Sequence, residues 1–190
     1  MSLVVVVVVV GVWLMWLKPK TPTAPVQPDR RDKVEEGGNK EESTMKLTSA
    51  AFAEKRLIPE KYTCKGENIN PSLMIKDVPA EAQSLALVMH DPDAPAGDWL
   101  HWTVWNIDPR TSEIPEGTLP STAVEGLTHF GASGYGGPCP PNGTHHYVFE
   151  LYALNKMLDL PAGASRSALL SAIEGNILAT AELTGLFAAD

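Results

Sequence analysis

Three hydrophobic patterns divide the chain. The first is an unbroken apolar run over residues 3–17, with valine at every position from Val4 to Val10. Its 15 residues fall short of the ~20 that cross a bilayer core, and with Met1 and Ser2 it reaches the lower limit of about 17. Trp13 and Trp16 lie near its end and Lys18 and Lys20 follow, an arrangement suited to a membrane interface. The run lacks the basic start and small-residue end of a cleaved signal peptide, and it holds no cysteine for lipid attachment. Residues 1–17 are expected to be an uncleaved transmembrane signal anchor; an atypical signal segment is the alternative.

The second pattern is a set of short strands beyond residue 45. Residues 46–52, 72–75, 84–89, 101–107 and 146–154 are apolar, β-branched or aromatic runs bounded by turn residues. A period of two places His101, Thr103, Trp105 and Ile107 on one strand face, and His145, Tyr147, Phe149 and Leu151 on another. The third pattern is helical. Leu169, Leu170, Ile173, Ile177 and Ala181 recur every three to four residues, predicting an amphipathic helix over 166–183 capped by Ser165 or Ser167. Several strands and then one helix predict a mostly β, α+β domain over residues 46–190.

Residues 18–45 form the link between anchor and domain. Pro19, Pro22, Pro25 and Pro28 recur every three residues and favour an extended spacer. Mixed charges and Gly37-Gly38 follow, so this stretch is expected to be disordered. Lys18, Lys20, Arg30 and Arg31 would hold the domain on the cytoplasmic side. An N-terminal anchor of this kind, however, often tethers an exported domain. The expected location is extracytoplasmic, with the cytoplasmic face as the alternative.

Charge narrows the partners. The chain carries a formal charge of −8. Past residue 46 there are 8 Lys+Arg against 17 Asp+Glu, about −9 for the domain alone. Such a surface repels phosphate backbones and argues against nucleic-acid binding. Cys64 and Cys139 are the two cysteines. They form no C-x-x-C metal pattern, and their spacing leaves a disulfide and two free thiols both open.

Candidate chemistry concentrates in two loops. His90-Asp91-Pro92-Asp93-Ala94-Pro95 directly follows the most apolar run, and Trp99-Leu100-His101-Trp102 comes just after it. A buried strand thus delivers three acids and two histidines within residues 90–101, a density that a core does not need. Asp93 also fits simple turn chemistry. The second loop runs from Gly134 through Gly136-Gly137-Pro138-Cys139-Pro140-Pro141 to His145-His146-Tyr147. Its glycines allow close backbone approach, and its prolines fix the loop before any ligand arrives. Backbone amides in such a loop can face a phosphate or carboxylate.

Other chemistries fit less well. Asp91, His101 and His145 could be metal ligands, but no H-x-x-x-H or H-E-x-x-H spacing is present. Gly131-Ala132-Ser133-Gly134 is not a G-x-S-x-G elbow, and there is no phosphate-binding P-loop motif. Asn142-Gly143-Thr144 matches a glycosylation sequon but reads as a turn.

On these two clusters the chain resembles the phosphatidylethanolamine-binding protein family, which includes the Raf kinase inhibitor proteins, and above all its bacterial and archaeal branch. The resemblance covers residues 46–188; Tyr62-Thr63-Cys64 and Asn70-Pro71 also fit. It implies a large central antiparallel sheet packed with a smaller sheet, and peripheral helices including a C-terminal one. It also implies a pocket for phosphate-like anions and phospholipid headgroups, with Asp91, His101, Gly137, Pro141, His145 and Tyr147 as ligand-binding residues. Where the family has His-Arg-Tyr this chain has His145-His146-Tyr147, so a basic rim residue is weakened.

The resemblance implies regulation rather than catalysis, with no catalytic residue, metal or cofactor. The pocket residues agree, since no activated nucleophile stands beside an evident base. The expected function is a membrane-tethered module binding an anionic or phosphorylated small ligand. The alternative is a protein-interaction regulator, such as a serine protease or kinase inhibitor.

Overall fold

The most apolar run of the domain becomes the centre of the larger sheet. β4, Ser84–Asp91, is buried along almost its whole length and pairs on both sides. One neighbour is β5, Trp99–Ile107, and the other is β8, Thr144–Leu154, both antiparallel to it. Strands buried on both faces read as continuous apolar runs, which is why this one was visible in the sequence.

These are strands of a computed structural model that describes residues 44–189. β8 pairs along its length with β9, Ile177–Ala188. The sheet is completed by two-residue strands at its edges: β2, Arg56–Leu57, parallel to β9, and β7, Val124–Glu125, beside β5. Its order is β2-β9-β8-β4-β5-β7. β1, Lys46–Ser49, β3, Leu73–Lys76, and β6, Glu113–Ile114, form a three-stranded antiparallel sheet in the order β1-β3-β6.

The two sheets share a core. Leu47, Leu73, Ile75 and Ile114 of the small sheet pack with Leu85, Leu87, Met89, Trp102, Tyr147 and Phe149 of the large one. The opposite face of the large sheet buries Ala86, Val88, Leu100 and Trp105 against α1, Arg166–Ile173, through Leu169 and Ile173. The architecture is the expected one, a mostly β domain with a large and a small sheet.

The final helix is shorter than its apolar periodicity predicts. It begins at Ser165, whose hydroxyl accepts from the Ala168 amide, and ends at Ile173 instead of continuing to residue 183. Glu174 leaves the helical region and Gly175 takes a φ of +72°, the conformation in which glycine lacks the penalty of other residues. Residues from Ile177 onward then pair with β8. The last element is therefore a strand, and Ala179, Ala181, Leu183 and Phe187 alternate onto the inter-sheet core.

β5 also departs from a simple alternation. Its partner on β4 shifts from Trp102 opposite Met89 to Leu100 opposite His90, leaving His101 as the extra residue of a bulge. A second bulge lies between Val104 and Ile107, where Asn106 has a φ of +58°. The single face predicted for His101, Thr103, Trp105 and Ile107 is broken at both ends. Trp105 packs towards α1 while Ile107 packs between the sheets.

The anchor expected at residues 1–17 and the linker as far as residue 43 lie outside the described residues. Among the described residues no helix is long and apolar enough to cross a membrane. Met45, placed at the end of the expected linker, is 4% exposed and belongs to the core.

Candidate functional site

The site lies where β4, β5 and β8 reach the same end of the large sheet. Asp91 is the last residue of β4 and His145 the second of β8, so neighbouring strands deliver them side by side. His145 Nδ1 lies 2.7 Å from Asp91 Oδ2, and the two side chains are 6% and 4% exposed. The other carboxylate oxygen of Asp91 accepts from the Asp93 amide at 2.9 Å. This local turn bends the chain into the loop of residues 92–98. Burying a carboxylate is costly unless it is paired and hydrogen-bonded, and Asp91 meets both conditions.

His101 owes its position to the β5 bulge, a device that re-aims side chains beside sites. Its Nδ1–H donates to the Gly136 carbonyl at 2.6 Å, and its own carbonyl accepts from the Gly136 amide at 3.0 Å. The Nδ1 proton is therefore fixed, and in the neutral ring Nε2 is an acceptor. Burial holds the His101 pKa below its ordinary value, against the raising effect of the Gly136 carbonyl and the Asp91 carboxylate. His101 meets Tyr147 edge-on at 5.1 Å and Phe130 at 5.3 Å.

The Tyr147 hydroxyl is buried and makes no hydrogen bond of ordinary geometry among the described residues, although the Asp91 carboxylate and the Cys139 backbone lie close to it. Burial, and next the nearby Asp91 carboxylate, raises its pKa, so the O–H remains a donor.

Asp91, His101 and Pro141 line a cavity of about 340 Å³ with Pro95, Trp99 and Phe130. His145 and Tyr147 stand behind it, one bonded to Asp91 and the other against His101. Trp99 and Phe130 are site residues that the sequence reading missed. Trp99 lay inside a quoted motif, whereas nothing in the chain around Phe130 signalled a pocket.

Gly137 has a structural role that the sequence did not show. Its amide donates to Asn68 Oδ1 at 2.8 Å, so it is already engaged within the protein. A Cβ at this position would stand 2.4 Å from the Tyr62 carbonyl oxygen. Gly137 is thus a close-approach glycine joining two loops, and it lines a second cavity of about 350 Å³ beyond Phe130. Cys64 and Cys139, left open by the sequence, are joined in a disulfide between the same two loops.

Two further clusters hold the loop of residues 92–98. On the rim, Asp93 Oδ2 accepts from the His146 amide at 2.8 Å and lies 2.7 Å from His146 Nδ1. At the far end, Asp98 lies 2.5 Å from His90 Nδ1 and accepts from Arg166 Nη1 at 2.6 Å. Partial burial raises the Asp98 pKa, but the bonds from Arg166 and His90 outweigh it and keep it below its ordinary value. Among the described residues no group of three or more His, Cys, Asp or Glu is arranged to hold a metal ion.

Comparison with known proteins agrees with this architecture. Residues 48–188 match the family model described as phosphatidylethanolamine-binding protein. The chain is 48% identical over 148 residues to a UPF0098 protein of Methanothermobacter thermautotrophicus, covering 75% of this chain and 98% of that one. A UPF0098 protein of Chlamydia muridarum is 47% identical over 151 residues, covering 77% and 100%. Among solved structures, a phosphatidylethanolamine-binding protein homologue of Chlamydia trachomatis superposes with a TM-score of 0.75 at 45% identity, covering 78% of this chain and 99% of that one. E. coli YbcL superposes with a TM-score of 0.73 at 32% identity, covering 77% and 99%.

Proposed function

The chain belongs to the phosphatidylethanolamine-binding protein family, and we propose that its pocket binds a small phosphorylated ligand of headgroup size without turning it over. The observation that carries this reading is the Tyr147 hydroxyl, a buried donor that meets no hydrogen-bond partner of ordinary geometry among the described residues, on a ring that packs against His101. A buried unpaired polar group is costly, and a ligand oxygen would relieve that cost. Asp91 supplies the opposite polarity, an acceptor for an ammonium or hydroxyl group. The cavity volume of about 340 Å³ lies at the small end of ligand pockets.

Among the described residues no lysine or arginine lines this cavity, and the Gly137 amide is spent on Asn68. Anion binding would therefore lean on Tyr147 and on protonation of His101 at Nε2. Since burial holds the His101 pKa down, affinity for phosphate should rise as the pH falls from 7 towards 5. An alternative reading, regulation of a protein partner, draws on the half-exposed Phe130 and on Leu127, 49% and 42% exposed beside the loops.

Calorimetric titration of the full chain with phosphate, phosphoethanolamine and phosphoserine tests the proposal, with Asp91→Asn and Tyr147→Phe alongside. Saturable binding that weakens at least tenfold in both variants supports it. Binding that is absent at millimolar ligand, or unchanged in folded variants, would sink it and favour the partner reading.

A further inference from the structure

The disulfide between Cys64 and Cys139 lies at the pocket rather than in the core. Cys139 lines both cavities, the one holding Asp91 and His101 and the one beyond Phe130. Two residues further on, Pro141 lines the first of them. Cys64 lies in the turn after the Glu60–Tyr62 3₁₀ helix and lines the second cavity. Both cysteines are exposed, and neither belongs to a strand or helix. The bond is thus open to solvent and to an attacking thiolate.

We propose that this disulfide is a thiol–disulfide switch that sets the shape of the ligand cavity. Exposed disulfides are the labile class, whereas structural ones resist reduction by glutathione. In the reaction an external thiolate attacks one of the two sulfurs, forming a mixed disulfide and releasing the other cysteine as a thiolate, which takes a proton. A second reductant thiolate then displaces the remaining cysteine, which is protonated in turn. Two electrons and two protons pass to the protein, and the dithiol or glutathione pair leaves oxidised.

Reduction changes the loops more than the sheets. Three contacts still join the two loops without the bond: the Cys64 amide to the Pro138 carbonyl at 3.1 Å, the Gly137 amide to Asn68 at 2.8 Å, and the Tyr135 hydroxyl to the Tyr62 carbonyl at 2.8 Å. The fold therefore persists. What is lost is the covalent hold on Cys139, which with Pro141 lines the cavity. A wall that must be ordered on binding subtracts from affinity. The reduced form should thus bind weakly and the oxidised form tightly.

The consequence for affinity rests on the ligand reading above; the lability and the loop motion do not. The test incubates the full chain in reduced glutathione at large excess and counts thiols by alkylation and mass. Hydrogen exchange over residues 134–141, far-UV circular dichroism and phosphoethanolamine titration are compared for the oxidised form, the reduced form and the Cys64→Ser/Cys139→Ser double variant. The expected result is at least half reduction by glutathione, an unchanged dichroism spectrum, faster exchange in that loop and at least fivefold weaker phosphoethanolamine binding in both thiol-free and reduced forms. Resistance to glutathione, loss of the folded spectrum on reduction, or unaltered loop exchange would each overturn the switch. If the oxidised protein binds no phosphoethanolamine, the ligand reading fails while glutathione sensitivity and loop exchange still decide the switch.

Discussion

Two Asp/His pairs tie the loop after β4 to the first turn of β8, and they contrast in their access to water. In both the imidazole Nδ1 lies 2.7 Å from a carboxylate oxygen. The side chains of Asp91 and His145 are 4% and 6% exposed, and those of Asp93 and His146 are 42% and 51% exposed. Alternation along β8 produces the difference, because successive residues face opposite sides of the sheet. His145 turns towards the pocket and His146 towards solvent. Equal geometry therefore carries unequal energy: a paired group in the interior depends on its partner, whereas water can replace a partner on the rim.

The largest expected effect is at the buried pair. His145→Ala leaves the Asp91 carboxylate buried without its imidazole partner, a loss of about 3 kcal/mol. Urea unfolding should show a lower midpoint with an unchanged slope. A cost under about 1 kcal/mol would mean that the end of β8 opens to water and that the burial contrast is not the operative difference.

Acid separates the two regions next. His101 lies against the buried pair's cavity, and its folded pKa is below the ordinary 6.5. Between those values the unfolded chain binds a proton that the folded chain does not, so stability increases with pH across the window. The contribution is complete above pH 6.5 and is lost as the pH falls towards the folded pKa. Asp93 behaves differently. The His146 amide, and then its imidazole, lowers the Asp93 pKa from 3.8, so its contribution persists down to about that pH and is lost only below it. Melting temperatures from pH 7 to 5 should fall in the native chain and fall less steeply in His101→Gln. Equal slopes would remove His101 from the acid response.

How much of this was legible follows from where each signal resides. The strands containing residues 84–89, 101–107 and 146–154 were visible because burial on one or both faces leaves a local hydrophobic pattern. Asp91, His101 and His145 stood out as ionisable groups at the ends of those strands. The end of the sheet does gather them, so most of the candidate site could be read from order and spacing.

What stayed hidden depends on partners distant in sequence. The helix predicted to residue 183 failed because Ile177 and Ala181 match a helical spacing by coincidence, while pairing with β8 decides their conformation. The alternation of Ala179, Ala181 and Leu183 against Thr180 and Glu182 was the overlooked signal. The two β5 bulges are set by register against β4, so a strict period of two could not place Ile107. The family resemblance implies Gly137 at the ligand, where glycine would suit an amide–anion contact. The same lack of a side chain suits the close approach to Tyr62, which only the fold reveals.

The smallest effects test the exposed pair by separating its two halves. Asp93 Oδ2 accepts both the amide and the ring nitrogen of His146, and the amide is the stronger cause of its lowered pKa. His146→Ala keeps the amide donor, so it should change stability by no more than about 0.5 kcal/mol. Asp93→Ala removes the acceptor for both and loosens the entry into β8, at about 1 kcal/mol. Denaturant unfolding of the two variants and their double mutant gives the coupling directly. A coupling near zero is expected, because the imidazole adds little to what the backbone bond already supplies. A coupling as large as the His145→Ala loss would mean that the rim pair, despite its exposure, is as strongly coupled as the interior one, and the contrast would have to be drawn from something other than access to water.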